Sequence, residues 1–220
     1  MNTHDSLCRS LSYLAECIVI SVDYRLAPEH KFPKAVEDAY AAVEWVAQNG
    51  EEVNVNTEQI AVGGDSAGGN LATVAALIAK EKGTPALAYQ LLIYPSTGAG
   101  MATESQRENG KGYFLTTDMM TWFADKYFNS FDELQNPYAV PLKAEDLSGL
   151  PPALVITAEF DPLRDEGKMY AEELKKAGVD VTYTCYDGMI HGFVSMDAFI
   201  SKGKDAIAQA ANALRDVFQY

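Results

Sequence analysis

Gly64-Asp65-Ser66-Ala67-Gly68 fits G-x-S-x-G, the pattern that sets a serine on a sharp strand-to-helix turn with its hydroxyl held out above a sheet. A phosphate-cradling loop fits poorly, because Gly69-Asn70 stands where such a loop needs Lys-Ser or Lys-Thr. A serine hydroxyl is a weak nucleophile, so the turn becomes chemistry only with a base in hydrogen-bond reach and an acid to orient that base. The chain offers three histidines. His4 lies in the first turn of an N-terminal helix and His30 in a loop between Pro28 and Pro33, where structural or surface roles are the better reading. His191 follows the last strand, within Tyr186-Asp187-Gly188-Met189-Ile190-His191-Gly192-Phe193, and emerges at the sheet edge that carries the serine. Folds with this turn run serine, acid, histidine in chain order, which favours Asp161 in Thr157-Ala158-Glu159-Phe160-Asp161-Pro162. Asp187 is the next candidate and Glu159 stays open, while Asp165 and Glu166 read as first-turn helix charges. Such a set cleaves acyl compounds through an acyl-enzyme, and sequence does not separate esters from amides, lactones or thioesters.

The elements that must carry these residues alternate. Thr3 to Glu16 reads as a helix capped by Thr3 or Asn2, and Cys17 to Tyr24 as a strand buried on both faces. Helix Ala35 to Ala47, strand Gln59 to Val62, a helix to about Lys80 and strand Ala88 to Tyr94 follow. Gly64 and Gly68 are expected to be glycine because a side chain at either would collide across the turn, and Gly69 to keep the helix start slim. The rhythm breaks over about 96–152, an insertion with a helix from about Thr117 to Phe128 carrying Trp122, Phe123, Tyr127 and Phe128. These aromatics read equally as a lid over the pocket and as fasteners to the core. Alternation resumes with strand Ala153 to Ala158, helix Leu163 to Ala177, strand Val181 to Tyr186 and a last helix over roughly Met196 to Phe218. The pattern predicts one α/β domain over 1–220, with a mostly parallel sheet between flanking helices.

Composition narrows the partners. Thirty-one acidic residues against 17 basic ones give a formal charge of -14, which disfavours nucleic acid and anionic membrane and would repel a strongly anionic substrate. Cys8, Cys17 and Cys185 form no C-x-x-C pair and read as core thiols in a reducing compartment. The N-terminal residues lack a signal-peptide pattern and no apolar run approaches the ~20 residues needed to span a bilayer, so the expected location is the cytoplasm.

Tyr24-Arg25-Leu26-Ala27-Pro28-Glu29-His30, the Gly64 to Asn70 turn, Asp161-Pro162-Leu163-Arg164-Asp165-Glu166 and His191-Gly192-Phe193 together resemble the bacterial hormone-sensitive-lipase-like carboxylesterases of the α/β-hydrolase superfamily. The resemblance runs over essentially the whole chain. It implies hydrolysis of short to medium acyl esters without metal or cofactor, with Ser66 as nucleophile, Asp161 as acid, His191 as base and the Ala67 amide as one oxyanion donor. It also implies a departure, since the family's His-Gly-Gly-Gly loop, its first three strands and its N-terminal cap helices have no counterpart here. The family's third strand lies between the equivalents of Cys17–Tyr24 and Gln59–Asp65. The two strands are therefore expected to close up and pair directly, or the gap to be filled by another copy of the chain, unless the natural protein is longer. A gap left open would expose unpaired edges that invite self-association. A truncated homologue that binds a ligand without hydrolysing it is the alternative reading.

Overall fold

In the computed structural model, which describes residues 3–219, four strands form one sheet: β1 (Ile60–Asp65), β2 (Leu87–Ile93), β3 (Ala153–Phe160) and β4 (Val181–Ile190). They lie in the order β1-β2-β3-β4 and every neighbouring pair is parallel. Helix α3 (Ala67–Lys82) joins β1 to β2 and α6 (Arg164–Lys176) joins β3 to β4. Ahead of the sheet come α1 (Asp5–Ala15) and α2 (Lys34–Asn49); the insertion between β2 and β3 holds α4 (Glu104–Asn109) and α5 (Thr117–Tyr127), and α7 (Ser201–Phe218) ends the chain. No helix among the described residues is long and apolar enough to cross a membrane.

The period-two alternation of β2 divides the core between the two sheet faces. Leu91 and Ile93 pack with Leu11 of α1 and with Ile207, Ala210 and Leu214 of α7. Leu92 points the other way, into a cluster with Ala72 and Ala76 of α3 and Tyr170 and Leu174 of α6. Helix α3 is buried continuously from Gly69 to Ala79, because the sheet covers one side and Val36 and Tyr40 of α2 reach Leu71, Val74 and Ile78 on another. Its alanines and glycines leave room for two close neighbours at once.

The segment Cys17 to Tyr24 departs from expectation. It joins no sheet and does not close onto β1. Among the described residues, the backbone of residues 18 to 24 makes no hydrogen bond to other backbone. Nor is it buried on both faces as expected: Val19 packs on the core, whereas Ile18, Ile20 and Val22 are 56%, 44% and 37% exposed. Each end is pinned elsewhere. The preceding α1 packs on α7, and the following Arg25 gives its backbone N–H and its guanidinium to Asp38 of α2, at 2.9 Å, 2.8 Å and 2.6 Å. β-branched residues favour a strand only where a neighbouring strand is within reach, and no strand of the sheet pairs with this segment. A cleft of about 580 Å³ remains between the segment and β1, running from α1 to Ser66.

Two smaller expectations also change. Cys8, Cys17 and Cys185 are free but only half-buried, not core thiols. Helix α1 begins at Asp5, and the proposed cap Thr3 instead bonds the His4 ring, while Asn2 lies outside the described residues. Within the insertion the aromatics divide their work. Tyr127 and Phe128 fasten to Phe32, with ring centroids 5.9 Å and 6.1 Å away, whereas Trp122 and Phe123 are more than half exposed on a helix that buries no residue.

Candidate active site

Strand ends in register bring the site together. Asp65 of β1 pairs with Ile93 of β2, so Ser66 and Tyr94 leave the sheet side by side. Phe160 of β3 pairs with Ile190 of β4, so Asp161 and His191 do the same two strands away. The register depends on β4 running four residues beyond Tyr186, past a shift between Ala158 and Phe160.

Ser66 sits at φ 55° and ψ -116°, a conformation that costs a non-glycine residue about 1 to 3 kcal/mol. Its surroundings hold it there. The Ser66 N–H donates to the Ile93 carbonyl at 2.9 Å, and the Ser66 carbonyl accepts from Asn70 N at 3.1 Å and Ser96 N at 3.2 Å. Asn70 is itself buried, its Nδ2 donating to the carbonyls of Ser96 at 2.7 Å and Ala139 at 3.1 Å. The glycines divide differently from expectation. A Cβ at Gly64 would lie 2.3 Å from the Gly68 backbone, and one at Gly69 would lie 2.8 Å from Pro95 Cβ. At Gly68 the nearest atom would be Asp65 Oδ1 at 3.9 Å. Close packing therefore demands glycine at 64 and 69 but not at 68, whose backbone is crowded while its side-chain direction is open.

His191 Nε2 lies 2.9 Å from Ser66 Oγ and its Nδ1 2.7 Å from Asp161 Oδ2. With Nδ1 protonated, the ring donates to the carboxylate and leaves Nε2 free to accept from the serine. Asp161 is 0% exposed, and its other oxygen accepts the Leu163 N–H at 2.8 Å. Both faces of its charge are thus compensated by donors rather than by water. The imidazole is itself buried and leans on the Tyr94 ring, 4.6 Å between centroids. At φ +82° Gly192 then turns the chain away.

The other candidates are placed apart from this row. Glu159 Oε2 accepts the Gly188 N–H at 2.6 Å, bracing the loop before His191 without touching the ring. The Asp187 side chain makes no bond to His191, and its carbonyl accepts from Lys202 Nζ at 2.6 Å. His30 is exposed in its loop. His4 turns toward the site and not merely to the surface, its Nε2 lying 3.0 Å from Asp65 Oδ1, next to the nucleophile. Ala67 opens α3, so its N–H belongs to the first turn, which has no acceptor within the helix. The cleft opens along the same edge, lined by His4, Asp65, Ser66 and Ala67. Among the described residues no three His, Cys, Asp or Glu side chains gather as a metal would require.

Sequence reasoning overlooked three groups. Tyr94 read only as a strand residue, Asn70 only as the residue after the last glycine, and Glu166 only as a helix charge. Glu166 is in fact fully buried, its Oε1 accepting from Thr97 N at 2.8 Å and Gly98 N at 3.0 Å. Burial pushes its carboxyl up to about 7, with those two amides pulling the other way and the nearby Asp161 charge adding to the rise. The only legible signal was its place three residues into a helix after a candidate acid.

Known proteins share this arrangement of chain. A family model described as alpha/beta hydrolase fold matches residues 1–195. A carboxylesterase of Mycobacterium tuberculosis, NlhH, is 41% identical over 218 residues, covering 98% of this chain and 68% of its own length. An arylesterase of Saccharolobus solfataricus is 39% identical over 220 residues, covering all of this chain and 71% of its own. Among solved structures, an esterase of Pyrobaculum calidifontis superimposes with a TM-score of 0.95 at 50% identity, over 97% of this chain and 70% of that one.

Proposed function

The chain belongs to the alpha/beta hydrolase fold family, and from that membership we propose that it is a serine carboxylesterase acting on short to medium acyl esters through Ser66, His191 and Asp161. The observation that carries this reading is the unbroken row Asp161 Oδ2, His191 Nδ1, His191 Nε2 and Ser66 Oγ, at 2.7 Å and 2.9 Å. As Ser66 Oγ attacks the ester carbonyl, His191 Nε2 takes its proton, and Asp161 stabilises the resulting imidazolium and keeps the ring turned. The same proton then passes to the leaving alkoxide, and water repeats the cycle on the acyl-enzyme. The Ala67 N–H donates to the tetrahedral oxyanion. Each such donor is worth about a hundred- to a thousandfold in kcat, so turnover depends on what else faces the cleft side of Ser66.

The substrate is a small, uncharged ester, in keeping with the net charge of -14, and the chemistry draws on no cofactor. The insertion acts as a small cap. Its Phe114 reaches the His191 loop, where a Cβ on Gly192 would lie 3.3 Å from the ring, and Tyr113 stacks on Phe160 with centroids 5.0 Å apart. We place the protein in the cytoplasm, consistent with its free thiols, and expect the open β1 edge to be covered by a second copy.

The test is hydrolysis of p-nitrophenyl acetate and butyrate by the wild type and Ser66→Ala. Loss of nearly all activity in the variant is expected, and equal rates would discard the reading. The open cleft beside Ser66 keeps one alternative in view, a homologue that binds without turnover. A fluorophosphonate probe separates the two, since only an assembled nucleophile gives a covalent adduct at Ser66.

A further inference from the structure

Glu166 occupies the first turn of α6 and is 0% exposed. A carboxyl in that position is expensive, and a well-packed apolar side chain would usually serve stability as well or better. Its bonds all go to one place. Oε1 accepts the N–H groups of Thr97 and Gly98 at 2.8 Å and 3.0 Å, and its backbone carbonyl accepts Thr97 Oγ1 at 2.9 Å. Oε2 meets no donor in full hydrogen-bond geometry among the described residues, although the Ser96 side chain of the same turn lies near enough to favour the charged form.

The turn it grips is the one behind the nucleophile. Ser96 donates its N–H to the Ser66 carbonyl at 3.2 Å and accepts Asn70 Nδ2 at 2.7 Å. Pro95 is wedged between the two helix starts: a Cβ on Gly69 would sit 2.8 Å from it and one on Gly167 would sit 3.6 Å from it. On the other side, the turn leading into α6 is the acid turn, where Asp161 accepts the N–H groups of Leu163 and Arg164. One carboxyl therefore joins the loop that supports Ser66 to the turn that supports Asp161, with His191 spanning the same two points from above.

We propose that Glu166 is a positioning residue for the hydrolysis, setting the separation of Ser66 from the His191–Asp161 pair through the Ser96–Gly98 turn. The proposal rests on the esterase reading above. It predicts a loss confined to the chemical step, because Glu166 is too deeply buried to meet substrate, and small displacements of a reacting group cost up to about a hundredfold.

The experiment compares wild type, Glu166→Ala and Glu166→Gln for p-nitrophenyl butyrate hydrolysis, with active sites titrated by a fluorophosphonate so that kcat refers to competent Ser66 only. Glu166→Ala is expected to lose about 10- to 100-fold in kcat with KM changed less than twofold. Glu166→Gln, which keeps an oxygen for the Thr97 and Gly98 amides, is expected to recover kcat to within about threefold of wild type. A purely structural role would lower the yield of titratable sites and leave kcat per site intact; that result overturns the proposal. So does a glutamine variant as slow per site as the alanine one. If Glu166→Ala does not fold, Gly98→Ala replaces it, because the added Cβ would press on Glu166 Cβ at 3.0 Å and lift the turn. Wild-type kcat per site in that variant would likewise refute the role. Failure of the esterase reading itself shows differently, as wild-type protein that neither turns over nor labels.

Discussion

Replacing Asp161 by asparagine tests the orienting step with almost no change of shape. The carboxylate has two acceptor oxygens and meets two donors, the Leu163 N–H at 2.8 Å and the imidazole Nδ1–H at 2.7 Å. An asparagine amide has one acceptor and one donor, so it cannot satisfy both. The site is 0% exposed, which leaves no water to take up the mismatch. If the amide oxygen stays on Leu163 N–H, the amide NH2 faces Nδ1, and the ring responds by moving its proton to Nε2. Ser66 then finds a donor where it needs an acceptor, although every heavy atom is in place. A wrong tautomer of this kind costs about 10^4 in kcat, and at about 1.4 kcal/mol per factor of ten that is about 5 to 6 kcal/mol of lost transition-state stabilisation. The assay is p-nitrophenyl butyrate hydrolysis with folded protein verified by circular dichroism, run alongside Asp187→Asn and Glu159→Gln. Those two are expected to stay within about threefold of wild type, since neither carboxylate touches the ring. Asp161→Asn retaining a tenth or more of the activity, with either of the others falling below it, would refute the assignment.

The remaining expectations concern stability and association. Gly64→Ala should cost roughly 1 to 3 kcal/mol or more, its Cβ meeting the Gly68 backbone at 2.3 Å, whereas Gly68→Ala should be neutral or stabilising by up to about 1 kcal/mol; urea titration of both decides, and a worse Gly68 variant would contradict the packing argument. The Glu166 carboxyl, raised to about 7 from 4.5, holds a proton in the folded state that the unfolded chain has already released. Its contribution is therefore fully present below about pH 4.5 and lost as pH rises through about 7, by on the order of 3 kcal/mol. Glu166→Gln should remove that loss between pH 5 and 8 in urea melts, and an unchanged pH dependence would speak against it. Association over the open β1 edge and the cleft beside it, which the exposed Ile20 also lines, should give dimers or larger species in size-exclusion chromatography, reduced by Ile20→Lys; a monomeric wild type at high concentration would discard it.

Much of the site was legible because its chemistry is local. The serine turn needs a strand, a bend and a slim helix start in consecutive residues, and the glycines around Ser66 announce them. Asp161 and His191 could be chosen from chain order and from the strands preceding them, and the structure brings both to Ser66. Chain order and the end of the preceding strand favour Asp161 over Asp187 and Glu159; the structure adds the physical reason, since β4 continues to Ile190 and pairs it with Phe160, the residues just before His191 and Asp161. The sequence could not reveal that a first-turn glutamate is buried, since Glu166 reads as polar helix surface until the Ser96–Gly98 turn is folded over it.

The amino-acid sequence by itself determined the alternation of elements, the serine bend and the set of side chains able to do acyl chemistry, because each depends on residues close along the chain. Tertiary structure alone decided which glycine is truly crowded, that Glu166 is buried and whether Cys17–Tyr24 becomes a strand. That segment has the composition of a buried strand, yet a strand is completed by its neighbours' hydrogen bonds, and no strand of the sheet supplies them to it.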